Sequence, residues 1–200
     1  GLVKYDNIDF SGSYASADTD SALNFRANIP MLQYQANRIS AGTINVASRN
    51  ERINYEIKFD TLTLPAQTLF GTYVRGAAAN DSISLNARTK DDKNVDWFGI
   101  SGAAYVRDDV YTFRMKDSLL LNYEDWNVAN DNYISYSDQG IIVNNFLLTS
   151  DTSKIFIKSR EQVANSPIDI DIDNFNLKSI SSLTSGDTLF AAGVLDVKAS

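Results

Sequence analysis

Apolar and polar residues alternate one by one through much of this chain, in runs the length of single strands. Ile53, Tyr55, Ile57 and Phe59 alternate with Asn54, Glu56 and Lys58. Ile83, Leu85 and Ala87 alternate with Ser84 and Asn86, and Tyr111, Phe113 and Met115 with Thr112 and Arg114. A period of two places one set of side chains on each face of a strand, so each run predicts a strand with one apolar and one wet face. The last third, from Tyr133, carries the pattern most densely. Ile141 to Leu148 is followed by a turn at Ser150 to Ser153, then Ile155-Phe156-Ile157, then a turn at Asn165-Ser166-Pro167, then Ile168-Asp169-Ile170-Asp171-Ile172.

Turn residues punctuate the rest: Asp18-Thr19-Asp20, Ala79-Asn80-Asp81, Asp91 to Asn94, Arg107-Asp108-Asp109, Asn130-Asp131-Asn132, Asp138-Gln139-Gly140 and Ser185-Gly186-Asp187. Strands joined by short polar turns predict an antiparallel meander rather than an α/β fold, whose crossovers need amphipathic helices. The best helical stretch is short, Leu177 to Leu183, with Ile180 and Leu183 three apart. The three prolines, Pro30, Pro65 and Pro167, are expected near strand boundaries. Gly99 and Gly102, with Ala103-Ala104, lack phosphate-loop spacing and predict a bulge or sharp bend. No composition shift marks a domain boundary, so residues 1–200 read as a single all-β segment. Leu189, Ala191, Gly193, Leu195 and Val197 alternate almost to Ser200. That pattern, with Gly1 in place of Met, points to a piece of a longer polypeptide whose sheet has an open edge here.

Composition removes most catalytic chemistry. With no cysteine there is no disulfide, thiolate zinc site or cysteine nucleophile, and with no histidine there is no Ser-His-Asp triad or histidine proton relay. Carboxylate or lysine catalysis stays open, yet no spacing of acids points to it, and a non-enzymatic role without cofactor or metal is expected. A net charge of −7, with Lys and Arg scattered singly, argues against nucleic acid. No apolar run approaches the ~18 residues of a membrane span.

Asp169, Asp171 and Asp173 line one strand face. Calcium could use such a row, but opposite Ile168, Ile170 and Ile172 it reads first as the wet side of a half-buried strand. The aromatic residues from Trp97 to Tyr136 suit either a carbohydrate-stacking platform or cross-strand packing, and packing is the simpler reading. Asn80-Asp81-Ser82 fits a glycosylation acceptor, too short a pattern to weigh.

Four segments between Ser118 and Ser200 carry a resemblance. They are Leu119-Leu120-Leu121-Asn122-Tyr123-Glu124-Asp125-Trp126-Asn127-Val128, with Asn132 to Tyr136 after it; Gly140 to Leu148, ending Asn145-Phe146-Leu147-Leu148, with Ile155-Phe156-Ile157 after it; Ile172 to Leu183, containing Asn174-Phe175-Asn176-Leu177; and Gly193-Val194-Leu195-Asp196-Val197. In this order they resemble the TamB (translocation and assembly module) family of AsmA-like envelope proteins. The resemblance covers about two fifths of the chain.

It implies an elongated antiparallel sheet curled into an open trough (a β-taco) with an apolar inner face. It also implies a periplasmic location and anchorage of the full-length protein in the inner membrane. The activity it implies is phospholipid transport between inner and outer membranes, linked to outer-membrane protein assembly with a barrel partner. The alternation supplies the groove candidates: Tyr55, Ile57, Phe59, Phe113, Met115, Ile141, Val143, Phe146, Leu148, Ile155, Ile157, Ile168, Ile170 and Ile172. Their common face rests on parity, so a bulge would flip part of the set. Acyl chains are the expected ligand. Two other readings stand beside this one: a closed β-sandwich serving adhesion or carbohydrate binding, and a scaffold that captures barrel strands at its edge.

Overall fold

The computed structural model of the protein describes residues 3–15, 22–116, 118–184 and 191–200. Seventeen strands and one helix stand among these residues, and the strands pair antiparallel. The chain divides into two compact units, Gly1–Phe98 and Gly99–Ser200, and neither unit's sheet closes into a barrel. The turns expected at Asp18 to Asp20 and at Ser185 to Asp187 lie outside the described residues, as does Leu189 of the last expected strand.

Unit 1 is a meander of long strands: β1 (Val3–Tyr5), β2 (Asp9–Tyr14), β3 (Leu23–Tyr34), β4 (Asn37–Arg49), β5 (Arg52–Thr63), β6 (Thr68–Ala79) and β7 (Ser82–Lys90). Consecutive strands from β2 to β7 pair with one another, and β1 pairs with the far end of β3. Asn50-Glu51 and Asn80-Asp81 close two hairpins with φ of 51° and 58°, and of 47° and 56°. Paired left-handed residues make the two-residue turn whose twist matches that of the strands, and Asn and Asp tolerate it best.

The ladder of unit 1 is interrupted at one level in four neighbouring strands. The register skips Pro30 opposite Ala41, Ala41 opposite Asp60, and Asp60 opposite Gly71, while pairing continues on either side. Ala41 and Gly71 have φ of 47° and 49°. Pro30 therefore lies inside β3 rather than at its boundary, at a level where a missing N–H costs no ladder bond. The interruption also shifts the parity of the apolar set. Above it lie Ile29, Gly42 and Phe59, and below it Leu32, Ile39 and Leu62, three residues away in each strand. A Cβ placed on Gly42 would lie 3.1 Å from Ile39, 3.2 Å from Phe59 and 3.3 Å from Ile29. Ile39 thus shares the face of Ile29 and Phe59 despite its parity.

Unit 2 contains β8 (Asp96–Arg107) from Gly99 onward, β9 (Val110–Met115), β10 (Ser118–Leu121), β11 (Glu124–Val128), β12 (Tyr133–Ser137), β13 (Gly140–Asn144), β14 (Phe146–Ser150), β15 (Ser153–Ser159), β16 (Ile168–Asn176), α1 (Lys178–Thr184) and β17 (Val194–Ala199). Its strands are also broken part-way. β8 pairs with β9 at Gly102 to Arg107 and with β10 at Gly99, so two extra residues on the partner strand sit beside the glycines where a bend is expected. From there one arm runs β9–β12–β13 and the other β10–β11–β14–β15–β16–β17. The run Ile141 to Leu148, expected as one strand, is two, parted at Asn145 with φ of 39°.

Candidate functional site

In unit 1 the register gathers the apolar residues into rows across the strands. One row runs Phe10, Ala27, Ile44, Ile57, Val74, Ala87, and the next runs Gly12, Phe25, Val46, Tyr55, Gly76, Leu85. A third runs Tyr14, Leu23, Ser48, Ile53, Ala78, Ile83. The opposite face carries Ser11, Arg26, Asn45, Glu56, Arg75 and Asn86 in one such row, and Asp9, Asn28, Thr43, Lys58, Tyr73 and Arg88 in another. No charged side chain stands in the three apolar rows.

Several polar groups on that face are engaged within the protein. The Tyr55 hydroxyl donates to the Ser84 carbonyl at 2.7 Å, the Leu23 N–H donates to the Ser48 hydroxyl at 2.7 Å, and the Thr72 and Thr89 hydroxyls share a bond of 2.8 Å. Rings lie over the glycines: Phe25 beside Gly12, Phe59 beside Gly42, and Tyr55 over Gly76. In unit 2 Phe113 lies over Gly102. An aromatic ring covering a strand glycine restores packing the glycine lacks.

The large side chains of this face are half-buried or exposed. In the three rows only Ala27 is fully buried, whereas Phe10 is 76% exposed, Ile53 41% and Ile83 48%. The candidates Tyr55, Ile57 and Phe59 sit in the middle of the face. Ile44, Val46, Val74 and Phe25, which belong to it equally, were not singled out. The alternation of Ile44-Asn45-Val46 could have found two of them.

In unit 2 an apolar face is covered at one end. In one arm Phe113 pairs with Ile134 and Ile134 with Val143, while Tyr111 pairs with Tyr136 and Tyr136 with Ile141. In the other arm Leu148 pairs with Ile155 and Ile155 with Ile172, Phe146 with Ile157 and Ile157 with Ile170, and Ser159 with Ile168. Met115, Leu119, Trp126, Leu148 and Phe175 form a buried cluster, against which Phe113, Phe146, Ile155, Ile172 and Leu177 pack. The cluster thus joins candidates from both arms. Trp126 is 1% exposed and meets the Phe175 ring edge-on at 5.7 Å between centroids. Away from the cluster, Ile141, Tyr111 and Tyr136 stay exposed. Ile180 of α1 is also exposed, and Ser179, Ser181 and Ser182 of the same helix are buried.

The aspartate row is occupied by cations of the protein itself. Lys154 Nζ lies 2.7 Å from Asp171 and 2.6 Å from Asp173, and Arg160 lies 2.9 Å from Asp169. The Lys154 bond, with the attraction of its charge, holds the Asp173 carboxyl below its ordinary value. Bonds to Asp171 and Asp173 raise Lys154 in return. Among the described residues no group of His, Cys, Asp or Glu is arranged to hold a metal ion. No helix among them is long and apolar enough to cross a membrane. Comparison of the chain with protein-family models, with curated proteins and with solved structures returned no match.

Proposed function

We propose that the apolar faces of this sheet hold phospholipid acyl chains, and that the chain is a non-enzymatic segment of a TamB-like envelope protein. In this reading the sheet is curled into an open trough, apolar within and polar without, in the periplasm. The observation that carries the reading is the unit 1 face. Three six-residue rows without a charge, with the Tyr55, Thr72 and Thr89 hydroxyls bonded within the protein and large side chains left half-exposed, suit a hydrocarbon ligand better than a headgroup or a sugar. A closed sandwich would bury Ile57, Phe59 and Val74, and each is only partly buried.

A bound acyl chain gains about 0.8 kcal/mol for each CH₂ withdrawn from water. Six strands at a spacing of ~4.8 Å give a face ~24 Å across, more than the ~15 Å of one leaflet's hydrocarbon. The link to outer-membrane protein assembly, and to a barrel partner, belongs to the same proposal and rests on the resemblance alone.

The test is native mass spectrometry on protein purified from a Gram-negative host. Wild type should carry phospholipid, and Ile57→Asp, placed between Ile44 and Val74, should lose most of it while Asn54→Asp on the opposite face keeps it. A folded Ile57→Asp that retains the wild-type complement, or a wild type free of lipid, overturns the reading.

A further inference from the structure

We infer that β2 is a dimerisation edge, through which two copies of this chain pair antiparallel with Gly12 opposite Gly12 of the second copy. The inference stands apart from the acyl-chain reading.

β2 pairs with β3 in an unbroken register over six residues, and among the described residues no other strand pairs with it. Every residue of β2 is exposed, Phe10 at 76% and Tyr14 at 73%. Strand edges are normally blunted by charge, proline, a bulge or a covering segment. Two strands of unit 2 are treated in this way. β17 carries Asp196 and Lys198, and its register with β16 shifts between Ile172 and Phe175. On β13 the Val143 N–H donates to the Ser159 hydroxyl at 2.9 Å, and the Ile141 carbonyl accepts from the Asn165 N–H at 3.4 Å. From Phe10 to Tyr14, β2 has no charge, no proline and no bulge.

The direction of the free backbone groups selects the occupant. The Ala15 N–H donates to the Ala22 carbonyl at 2.8 Å, and this pair continues the register in which Tyr14 faces Leu23. Bonded and non-bonded pairs alternate along an antiparallel ladder, so Ser13, Ser11 and Asp9 bond to β3 as Ala15 does. The N–H and carbonyl groups of Phe10, Gly12 and Tyr14 therefore point away from β3. A second β2 presents the same set, and one antiparallel register engages all of it in both copies. Phe10 then lies opposite Tyr14, Gly12 opposite Gly12, and Tyr14 opposite Phe10, with two backbone bonds to each pair.

The side chains agree with that register. It sets ring against ring on the apolar face and Ser11 against Ser13 on the other, and Asp9 falls opposite Ala15 rather than a second Asp9. Glycine leaves the two-fold axis free of side chains. Because paired residues share a face, the apolar faces of the two copies of unit 1 meet edge to edge. One strand pair is a small interface, so the dimer is a transient one.

Sedimentation equilibrium of the full chain reads the association. Wild type should be mostly dimeric at about 500 µM and monomeric at about 5 µM. Gly12→Pro removes the central outward N–H without removing a bond to β3, so the chain should fold and its dissociation constant should rise about ten-fold or more. The chain has no cysteine, so Ser11→Cys and Ser13→Cys report the register by disulfide formation. Mixed, the two variants should cross-link about ten-fold faster than either does alone, since only Ser11 and Ser13 stand directly opposite. Self-linking of either variant at the mixed rate overturns the register. A wild type that is monomeric at about 500 µM, or a folded Gly12→Pro that associates like wild type, overturns the β2 edge.

Discussion

Asn132 stands in for a strand at the break in unit 2, bonding both backbone groups of Met115. Its Oδ1 accepts from the Met115 N–H at 2.9 Å, and its Nδ2 donates to the Met115 carbonyl at 2.8 Å and to the Ala129 carbonyl at 2.6 Å. The residue is wholly buried. An amide side chain presents the donor and acceptor of a peptide, so it can close the ladder where β11 has ended and β12 has not begun. Asn132→Leu leaves those Met115 groups without a partner and should cost about 3 kcal/mol. Urea unfolding measures it; a loss under about 0.5 kcal/mol would show that the break does not depend on this side chain.

Gly76 and Gly12 both lie under rings but differ in the room left to them. A Cβ on Gly76 would fall 1.8 Å from the Ser84 carbonyl oxygen and 2.6 Å from the Tyr55 hydroxyl, whereas on Gly12 the nearest atom would be 3.3 Å away. Gly76→Ala should therefore destabilise by about 3 kcal/mol and Gly12→Ala by under about 1 kcal/mol. Thermal melts of the pair decide, and equal losses would contradict the packing described.

Glu51 occupies the second left-handed position of its hairpin with φ of 58°, a place suited to Gly, Asn or Asp. Glu51→Gly makes an Asn-Gly turn and should stabilise by about 1 kcal/mol, since the left-handed cost of about 1–2 kcal/mol is only partly offset by glycine's freer unfolded chain. A denaturant midpoint that falls would contradict the turn geometry.

The Lys154 and Asp173 pair predicts where stability depends on pH. Asp173 is held below its ordinary 3.8, so its contribution is whole above that value and fades as the pH falls through the lower folded value. Lys154 is raised above 10.5, so its contribution is whole below that value and fades as the pH rises through the higher folded one. Neither titrates between. In Lys154→Met the Asp173 carboxyl should titrate at a higher pH than in wild type, which carboxyl NMR reads directly, and an unmoved titration would mean that the bond does not persist in solution.

Alternation was enough to place most strands, because a half-buried strand writes its two faces at every second residue. It correctly set Ile57 apart from Lys58, and Ile170 from Asp171. What it could not place were the interruptions. Ala41 looks like any strand residue, yet its left-handed φ moves Ile39 onto the face of Phe59. Asn145 divides Ile141 to Leu148 into two strands for the same reason. The burial of Trp126 was not legible either, since it depends on residues from β9, β10, β14 and β16 that only tertiary folding brings together. The helix was found within a residue of its start, but the spacing of Ile180 and Leu183 did not tell which side of it Ile180 faces, and Ile180 faces out.

In the proposed function one face of the unit 1 sheet meets lipid and the other meets water. Ile57 and Lys58 are neighbours on β5 that pair with Val74 and Tyr73 on opposite faces. A benzophenone amino acid placed at each position in turn, irradiated in Gram-negative cells, reads the two faces separately. The account predicts a phospholipid adduct at position 57 and none at position 58. Adducts at both positions, or at neither, would contradict it.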